Sequence, residues 1–216
     1  MKKALIFQGG WEGHEPAEVA DILKGILEEE DTEVKITDTL VTLEEEELNF
    51  YDLIVPNWTQ GKITKEQLHL LVKAVEGGVG LAGLHGGMGD SFREAVDYQF
   101  MVGGQWVAHP GNDGVSYTVN ILDRDNPLTK GIEDFQVDSE QYYMHIDPAV
   151  KVHATTKFPV APGPHMTNGE VHMPVVWTKG WGKGKIYYCS LGHVAEIVRM
   201  PEVKELMKKG MLWATR

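Results

Sequence analysis

Val79-Gly80-Leu81-Ala82-Gly83-Leu84-His85-Gly86-Gly87 is an apolar run that stops at a Gly-x-His-x-Gly turn. A short apolar run bounded by glycines reads as a buried strand. In a parallel α/β sheet, a small-residue turn between that strand and the next helix lifts one side chain above the carboxyl edge. Glycines are needed there because the turn is tight and the backbone strained. The usual occupant of such an elbow is a Ser or Cys nucleophile. Here it is an imidazole, a poor acyl acceptor but a good proton shuttle or metal ligand. The stretch therefore predicts a hydrolase-like scaffold whose chemistry does not run through an acyl-enzyme.

Working outward, the same β-loop-α order recurs. Ala4 to Gln8 is a short apolar run halted by Gly9-Gly10, a first buried strand. Pro16 suits the first turn of a helix, and Val19, Ile22, Leu23, Ile26 and Leu27 recur at helical spacing over residues 16–30. Val34 to Thr37 and Leu53 to Pro56 read as further strands, the latter ended by Pro56 and followed by a loop Asn57-Trp58-Thr59-Gln60-Gly61. Thr64 with Gln67 forms a capping box, and Gly77-Gly78 closes the helix behind it. Repetition of this order predicts a parallel sheet covered on both faces, with ligands at the carboxyl ends of its strands. His14, Asn57-Trp58 and His85 all follow strands at that edge.

The middle of the chain is less regular. A helix is expected within Ser91–Met101, a loop over Gly103 to Pro110, a strand over Val115–Leu122, and a turn with a short helix over Asn126–Ile132. Val150–Ala154 and Pro174–Thr178 read as antiparallel additions, and the Pro/Gly-rich segment between Phe158 and Met173 as a loop. Ile186–Leu191 is the last strand, and Pro201 opens a terminal helix with Val203, Leu206, Met207 and Leu212 as its buried stripe. No linker divides the chain, so residues 1–216 are expected to form one domain.

The 216 residues are 42% hydrophobic and 24% charged, ordinary values for a globular core. The net charge of -12 disfavours a nucleic-acid partner, whose phosphates need a basic surface. Much of the acid lies in Glu28–Asp31 and Glu44–Glu47, expected as solvated faces. A single cysteine, Cys189, allows no intrachain disulfide and suits a reducing cytoplasm. There is no signal-peptide pattern, and no apolar stretch approaches the ~20 residues of a membrane span. Gly9-Gly10 lacks a Walker lysine and a G-x-G-x-x-G pattern, so nucleotide binding is not expected. A homodimer is the default expectation for oligomeric state.

An ordered set of motifs follows the elbow. Gly103-Gly104 with His109-Pro110, then Ser139-Glu140-Gln141-Tyr142, Pro174-Val175-Val176-Trp177-Thr178, Gly182-Lys183-Gly184-Lys185 and Leu191-Gly192-His193 run on to the terminal Leu212-Trp213-Ala214. In this order and spacing, the chain resembles the trehalose-utilization (ThuA-like) family over nearly its whole length. The resemblance implies a flavodoxin-like α/β sandwich of the class I glutamine amidotransferase type, with a mainly parallel central sheet and a few antiparallel strands. It also implies a role in carbohydrate metabolism, often beside sugar dehydrogenases that make keto-sugars. Where the family often has Asp-Glu before the tyrosine, this chain has Ser139-Glu140, which puts paired-carboxylate chemistry there in doubt. The nucleophilic cysteine of an amidotransferase would fall at His85 and its histidine near His193. The thiol is absent and Cys189 lies inside an apolar strand, so glutamine hydrolysis is not expected.

Two chemistries fit the remaining constellation. His14, His85, His109 and His193 follow strands or glycine turns, and such imidazoles with a carboxylate suit a divalent transition metal, zinc first. Alternatively His85, His193 and Glu140 act as metal-free acid and base, removing a proton next to a sugar carbonyl. Trp11, Trp58 and Trp106 could stack on the C–H faces of a sugar, with Tyr142 beside them. His145, His153, His165 and His172 have weaker cases, with His165 and His172 near a substrate mouth, and His69 reads as a surface residue. The reading is an enzyme acting on a disaccharide or keto-sugar, with a non-catalytic sugar-binding or regulatory module as the alternative.

Overall fold

The computed structural model describes residues 1–216. Its strands are β1 (Lys2–Gly10), β2 (Thr32–Thr37), β3 (Leu53–Thr59), β4 (Gly80–Leu84), β5 (Gly104–Ala108), β6 (Val115–Ile121), β7 (Phe135–Ser139), β8 (Tyr143–Ile146), β9 (Lys151–Phe158), β10 (Val171–Trp181) and β11 (Gly184–Cys189). Its helices are α1 (Pro16–Glu28), α2 (Thr42–Glu45), α3 (Lys65–Gly77), α4 (His85–Gly89), α5 (Val96–Val102), α6 (Ala195–Arg199) and α7 (Pro201–Ala214). Nine strands form one sheet in the order β2-β1-β3-β4-β11-β10-β9-β6-β7, and β5 pairs with β8 in a separate ribbon. From β2 to β11 every pairing is parallel; from β11 to β7 every pairing is antiparallel.

Two cores sandwich this sheet. In β1, Ala4 and Ile6 enter a core with α1 and α7 (Val19, Leu23, Val203, Leu206), while Leu5 and Phe7 enter one with α3 and α5 (Leu71, Val75, Tyr98, Met101). Burial of β1 on both faces is why Ala4–Phe7 reads as an unbroken apolar run rather than an alternating one. The architecture is the three-layer α/β sandwich expected, with a mixed sheet that is parallel in its core.

Helix boundaries follow the sequence closely where local signals are strong. The Thr64 hydroxyl accepts from Gln67 N, Gln67 Oε1 accepts from Thr64 N, and Gly78 leaves α3 at φ 122°. Pro16 and Pro201 both stand at helix starts. The two acidic runs are largely exposed.

Several expectations are corrected. Pro56 does not end β3, which runs on through Asn57-Trp58-Thr59 because β1 pairs with it as far as Gly10↔Thr59. Within β3 only Leu53 and Ile54 pair with β4, so Pro56 lies beyond the β3–β4 ladder, where a missing N–H costs little. The helix expected within Ser91–Met101 starts only at Val96. Ser91 instead bridges to Gln60, and Phe92 takes φ 50°. Gly104–Ala108 is a strand rather than a loop, paired with β8. Asn126–Ile132 holds turns without a helix, and β7 has no counterpart in the expected elements. In α7 the buried stripe is Val203, Leu206, Met207, Met211 and Ala214; Leu212 is only half-buried.

The tight packing behind the elbow gives a first prediction. A Cβ on Gly83 would stand 2.7 Å from Met88 Cβ and 2.9 Å from the Pro56 carbonyl oxygen, whereas one on Gly25 meets nothing within 4 Å. Gly83→Ala is expected to destabilise the protein by about 1–3 kcal/mol through overpacking. Gly25→Ala, within α1, is expected to stabilise it by about 0.5–1 kcal/mol. Urea midpoints of the two variants check both signs.

Candidate functional site

The parallel strands β1, β3, β4 and β11 deliver their carboxyl ends to one edge of the sheet, and the chain turns from one side of β1 to the other between β2 and β3. Such a switch point leaves a crevice between adjacent loops. His14 follows β1 on a short 3-10 turn, Thr59 ends β3, His85 opens α4 after β4, and His193 follows β11. Glu140 comes from the other half of the sheet, just after β7.

Each piece is held by its own local device. His85 takes φ 42°, a left-handed conformation that costs a non-glycine residue on the order of 1–3 kcal/mol. Tyr188 Oη donates to its carbonyl at 2.9 Å and steadies the elbow. Gly86 must be glycine for a second reason: a Cβ there would lie 2.5 Å from the His14 ring and 3.0 Å from Tyr142 Oη. The His14 and His193 loops are tied together, because Glu15 Oε2 accepts from Ala195 N at 2.9 Å. Tyr117 Oη donates to the Glu140 carbonyl at 3.0 Å, and Gln141 Nε2 donates to Thr156 Oγ1 and the Lys157 carbonyl, which fixes the segment after β7.

The result is a buried cluster. His14, His85, Glu140 and His193 each offer a ligand atom, and these atoms all lie within 4.8 Å of one another. Glu140 Oε2 is 3.2 Å from His85 Nε2 and 3.4 Å from His193 Nδ1. His85 Nδ1 is 2.8 Å from the Ser190 carbonyl, and His14 Nδ1 is 2.7 Å from Thr59 Oγ1. His193 Nε2 lies 3.9 Å from Asp113 Oδ2, while its Nδ1 is buried with no hydrogen-bond partner. Thus His85 and His193 each turn one nitrogen toward Glu140 and the other toward an outer oxygen, and His14 turns Nδ1 toward the Thr59 hydroxyl.

Burial sets the charges. It pushes His14 down to about 3, helped by the neighbouring His85 and His193. Burial also holds His85 below the usual histidine range, outweighing the raising effect of Glu140. For Glu140 burial alone would raise the pKa, but His193 and His85 together hold it below the carboxylate range. His193 shows the complementary balance: burial lowers it, and Glu140 more than offsets that, so its pKa is raised. Burial thus lowers His14 and His85, while the pairing with Glu140 raises His193 and lowers Glu140.

The other expected residues are distributed unequally. Tyr142 stacks on His85 with ring centres 3.8 Å apart. Trp11, 48% exposed, meets His14 edge-on at 4.7 Å and stands at the mouth. His109 does not enter the four-residue cluster; its Nε2 is 3.8 Å from the other carboxylate oxygen, Glu140 Oε1. Trp106 lies beside His109 and Tyr142 at 5.3 and 6.1 Å. Trp58 is half-buried over Gly9 and Gly61 and takes no part in the ring contacts that link the cluster. His145, His172 and His69 are exposed, His165 packs edge-on to Phe158, and His153 is buried among the antiparallel strands against Thr178. Cys189 is fully buried and burial pushes its thiol up to about 12, which excludes it as a nucleophile at neutral pH. A groove of about 780 Å³ between α3 and α5, lined by Ile63, Leu68, Val72 and Phe92, contains none of the four cluster residues.

Sequence reasoning missed Thr59, Asp90, Arg93, Asp113 and the Ser190 carbonyl. Asp90 closes α4 and takes a bidentate pair from Arg93 at 2.6 and 2.8 Å, and the guanidinium lies 4.7 Å above Trp106. Only Thr59 carried any signal, its place in a stretch read as loop after a strand on the ligand edge. A backbone carbonyl carries none.

A family model described as ThuA, trehalose utilisation, matches residues 3–214. The chain belongs to the ThuA family. Membership places it in carbohydrate metabolism, in trehalose utilisation. Solved ThuA-like structures share the fold. A putative ThuA-like protein from Bacteroides uniformis is 19% identical, with a TM-score of 0.78 over 99% of this chain and 91% of that one. A putative ThuA-like protein from Parabacteroides merdae is 18% identical, with a TM-score of 0.77 over 99% and 89%. A β-galactosidase from Bacillus circulans, 13% identical, matches with a TM-score of 0.61 over 99% of this chain and 30% of its own. No curated protein matches the chain. No helix is long and apolar enough to cross a membrane.

His153 provides a pH prediction away from the cluster. Burial first, then the charge of Lys151, lowers its pKa from 6.5 to about 4. The folded state thus binds fewer protons than the unfolded chain between those values. Its contribution to stability is complete above pH 6.5 and is lost as pH falls towards 4. His153→Gln is expected to flatten that part of the stability–pH curve, measured by urea unfolding from pH 7 to pH 4.

Proposed function

We propose that this ThuA-family protein is an enzyme that acts on a keto-sugar or disaccharide at the His14, His85, Glu140 and His193 cluster, with a divalent transition metal, zinc first, as its cofactor. The observation that carries the reading is the convergence of three imidazoles and one carboxylate, all buried, at the carboxyl edge of a parallel sheet.

The donor set fits a metal on its own chemistry. The Ser190 carbonyl can only accept, so His85 Nδ1 carries a proton and the neutral ring turns the Nε2 lone pair on Glu140 Oε2 at 3.2 Å. A neutral ring at that distance from the carboxylate needs a proton or a metal cation between or beside them. The unpartnered His193 Nδ1 faces the same oxygen. Histidine nitrogens with one carboxylate are a zinc-type set, and outer-shell acceptors on the far nitrogens are the usual support for one. When bound, such an ion supplies Lewis-acid polarisation of a carbonyl oxygen or of a water.

The chain's own residues supply the rest. Trp11 offers an exposed indole at the mouth for the apolar face of a sugar ring. His109 faces Glu140 from outside the cluster and is the imidazole free to take or give a proton beside the sugar carbonyl. A carbonyl acidifies its neighbouring C–H, so a base and an oxyanion stabiliser suffice for enolisation, epimerisation or elimination. Burial keeps the Tyr142 phenol protonated, so it backs His85 as a neutral ring.

In assays over a panel of disaccharides and their keto derivatives, Glu140→Gln is expected to cut kcat by roughly 10²-fold or more with sugar affinity nearly unchanged. Trp11→Ala is expected to raise KM with little change in kcat. Tryptophan fluorescence titration supplies the affinity. If no sugar turns over while binding survives His85→Ala and His193→Ala, the protein is a sugar-binding module and not an enzyme.

A further inference from the structure

His14 reaches the cluster with one ring nitrogen already committed. Its Nδ1 lies 2.7 Å from Thr59 Oγ1, and both groups are buried. A hydroxyl can donate or accept, so this contact allows two tautomers with opposite consequences. If the hydroxyl donates, His14 Nε2 carries the proton and turns an N–H into the cluster. If the hydroxyl accepts, Nε2 offers a lone pair.

His85 indicates which arrangement the site is built around. Its outer partner, the Ser190 carbonyl, leaves no choice of tautomer, so its inner nitrogen is a lone-pair donor. His14 stands beside it, the ring centres 4.8 Å apart and the planes at 68°. His193 differs, with Nε2 3.9 Å from Asp113 Oδ2, beyond hydrogen-bond distance, and Nδ1 3.4 Å from Glu140 Oε2. His85 thus has an outer partner that can only accept, and Thr59 occupies the equivalent place for His14.

Thr59 is also held rigidly enough to set a direction. It ends β3 in register with Gly10, and its carbonyl accepts from Trp11 N at 3.3 Å. The strands approach so closely that a Cβ on Gly10 would stand 1.9 Å from the Thr59 carbonyl oxygen. The hydroxyl therefore rides on the sheet, while His14 rides on the loop after β1. A β-branched side chain at that point has few rotamers to choose from.

We propose that Thr59 is a positioning residue whose hydroxyl accepts a hydrogen bond from His14 Nδ1–H, fixing Nε2 as the nitrogen that His14 presents to a cation held with His85, Glu140 and His193. The metal half of this statement rests on the reading under Proposed function; the tautomer half does not.

Two measurements on the full chain test it. Zinc affinity, read by competition with a chromophoric chelator, is expected to fall 10–100-fold in Thr59→Val and to stay near the native value in Thr59→Ser. Far-UV circular dichroism and a cooperative melt establish that each variant is folded. A folded Thr59→Val with native zinc affinity overturns the proposal, as does a Thr59→Ser that is equally weak, since the effect would then be steric. Nitrogen-15 NMR of the metal-free native protein is the second measurement. Protonation of His14 at Nδ1 supports the proposal, and protonation at Nε2 overturns it. If the native protein takes no zinc at all, the metal reading falls, and the NMR result alone decides the role of Thr59.

Discussion

Glu140 carries a negative charge into a space from which water is nearly excluded, and the site exists in its present form because that charge is answered. An isolated buried carboxylate would cost several kcal/mol. Here His85 and His193 lie within 3.2 and 3.4 Å of one of its oxygens, and His109 approaches the other. Burial lowers His14 and His85, and the close approach of His85 and His193 to the carboxylate lowers Glu140 and raises His193. Everything that positions Glu140, including the antiparallel half of the sheet and the Tyr117 and Gln141 hydrogen bonds, acts through this balance.

The division of the sheet has a corresponding logic. The parallel half is an α/β scaffold whose strand ends supply His14, Thr59, His85 and His193. The antiparallel half extends the sheet past β11 and brings one carboxylate back over the edge. The elbow that would expose a nucleophile in a hydrolase presents His85 instead, and the only thiol, Cys189, is sealed within β11. A scaffold suited to covalent chemistry is thereby furnished for proton or metal chemistry.

Much of this was legible in the sequence, for reasons that can be named. The unbroken apolar runs at Ala4–Phe7 and Leu81–Leu84 marked buried parallel strands, and the Thr64–Gln67 box and the prolines marked helix starts. Pro56 misled because a proline ends a strand only where its N–H is needed for pairing. The ribbon β5–β8 and the strand β7 carry weaker alternation and more half-exposed positions, so periodicity did not reveal them. Within the site, glycine-flanked histidines after strands were visible as candidates. Their separation into four that converge and His109 that stands outside depends on loop geometry. The outer partners were less visible still: Ser190 acts through its backbone, and Thr59 sat in a stretch read as loop.

The central claim is that His14, His85, Glu140 and His193 form one site for a divalent ion. Elemental analysis of the purified, untagged native protein, repeated on His85→Ala and His193→Ala, tests it most directly. The account predicts close to one transition-metal ion per chain in the native protein and its loss from both variants. A native protein that holds no such metal, even after incubation with zinc or manganese, would contradict it.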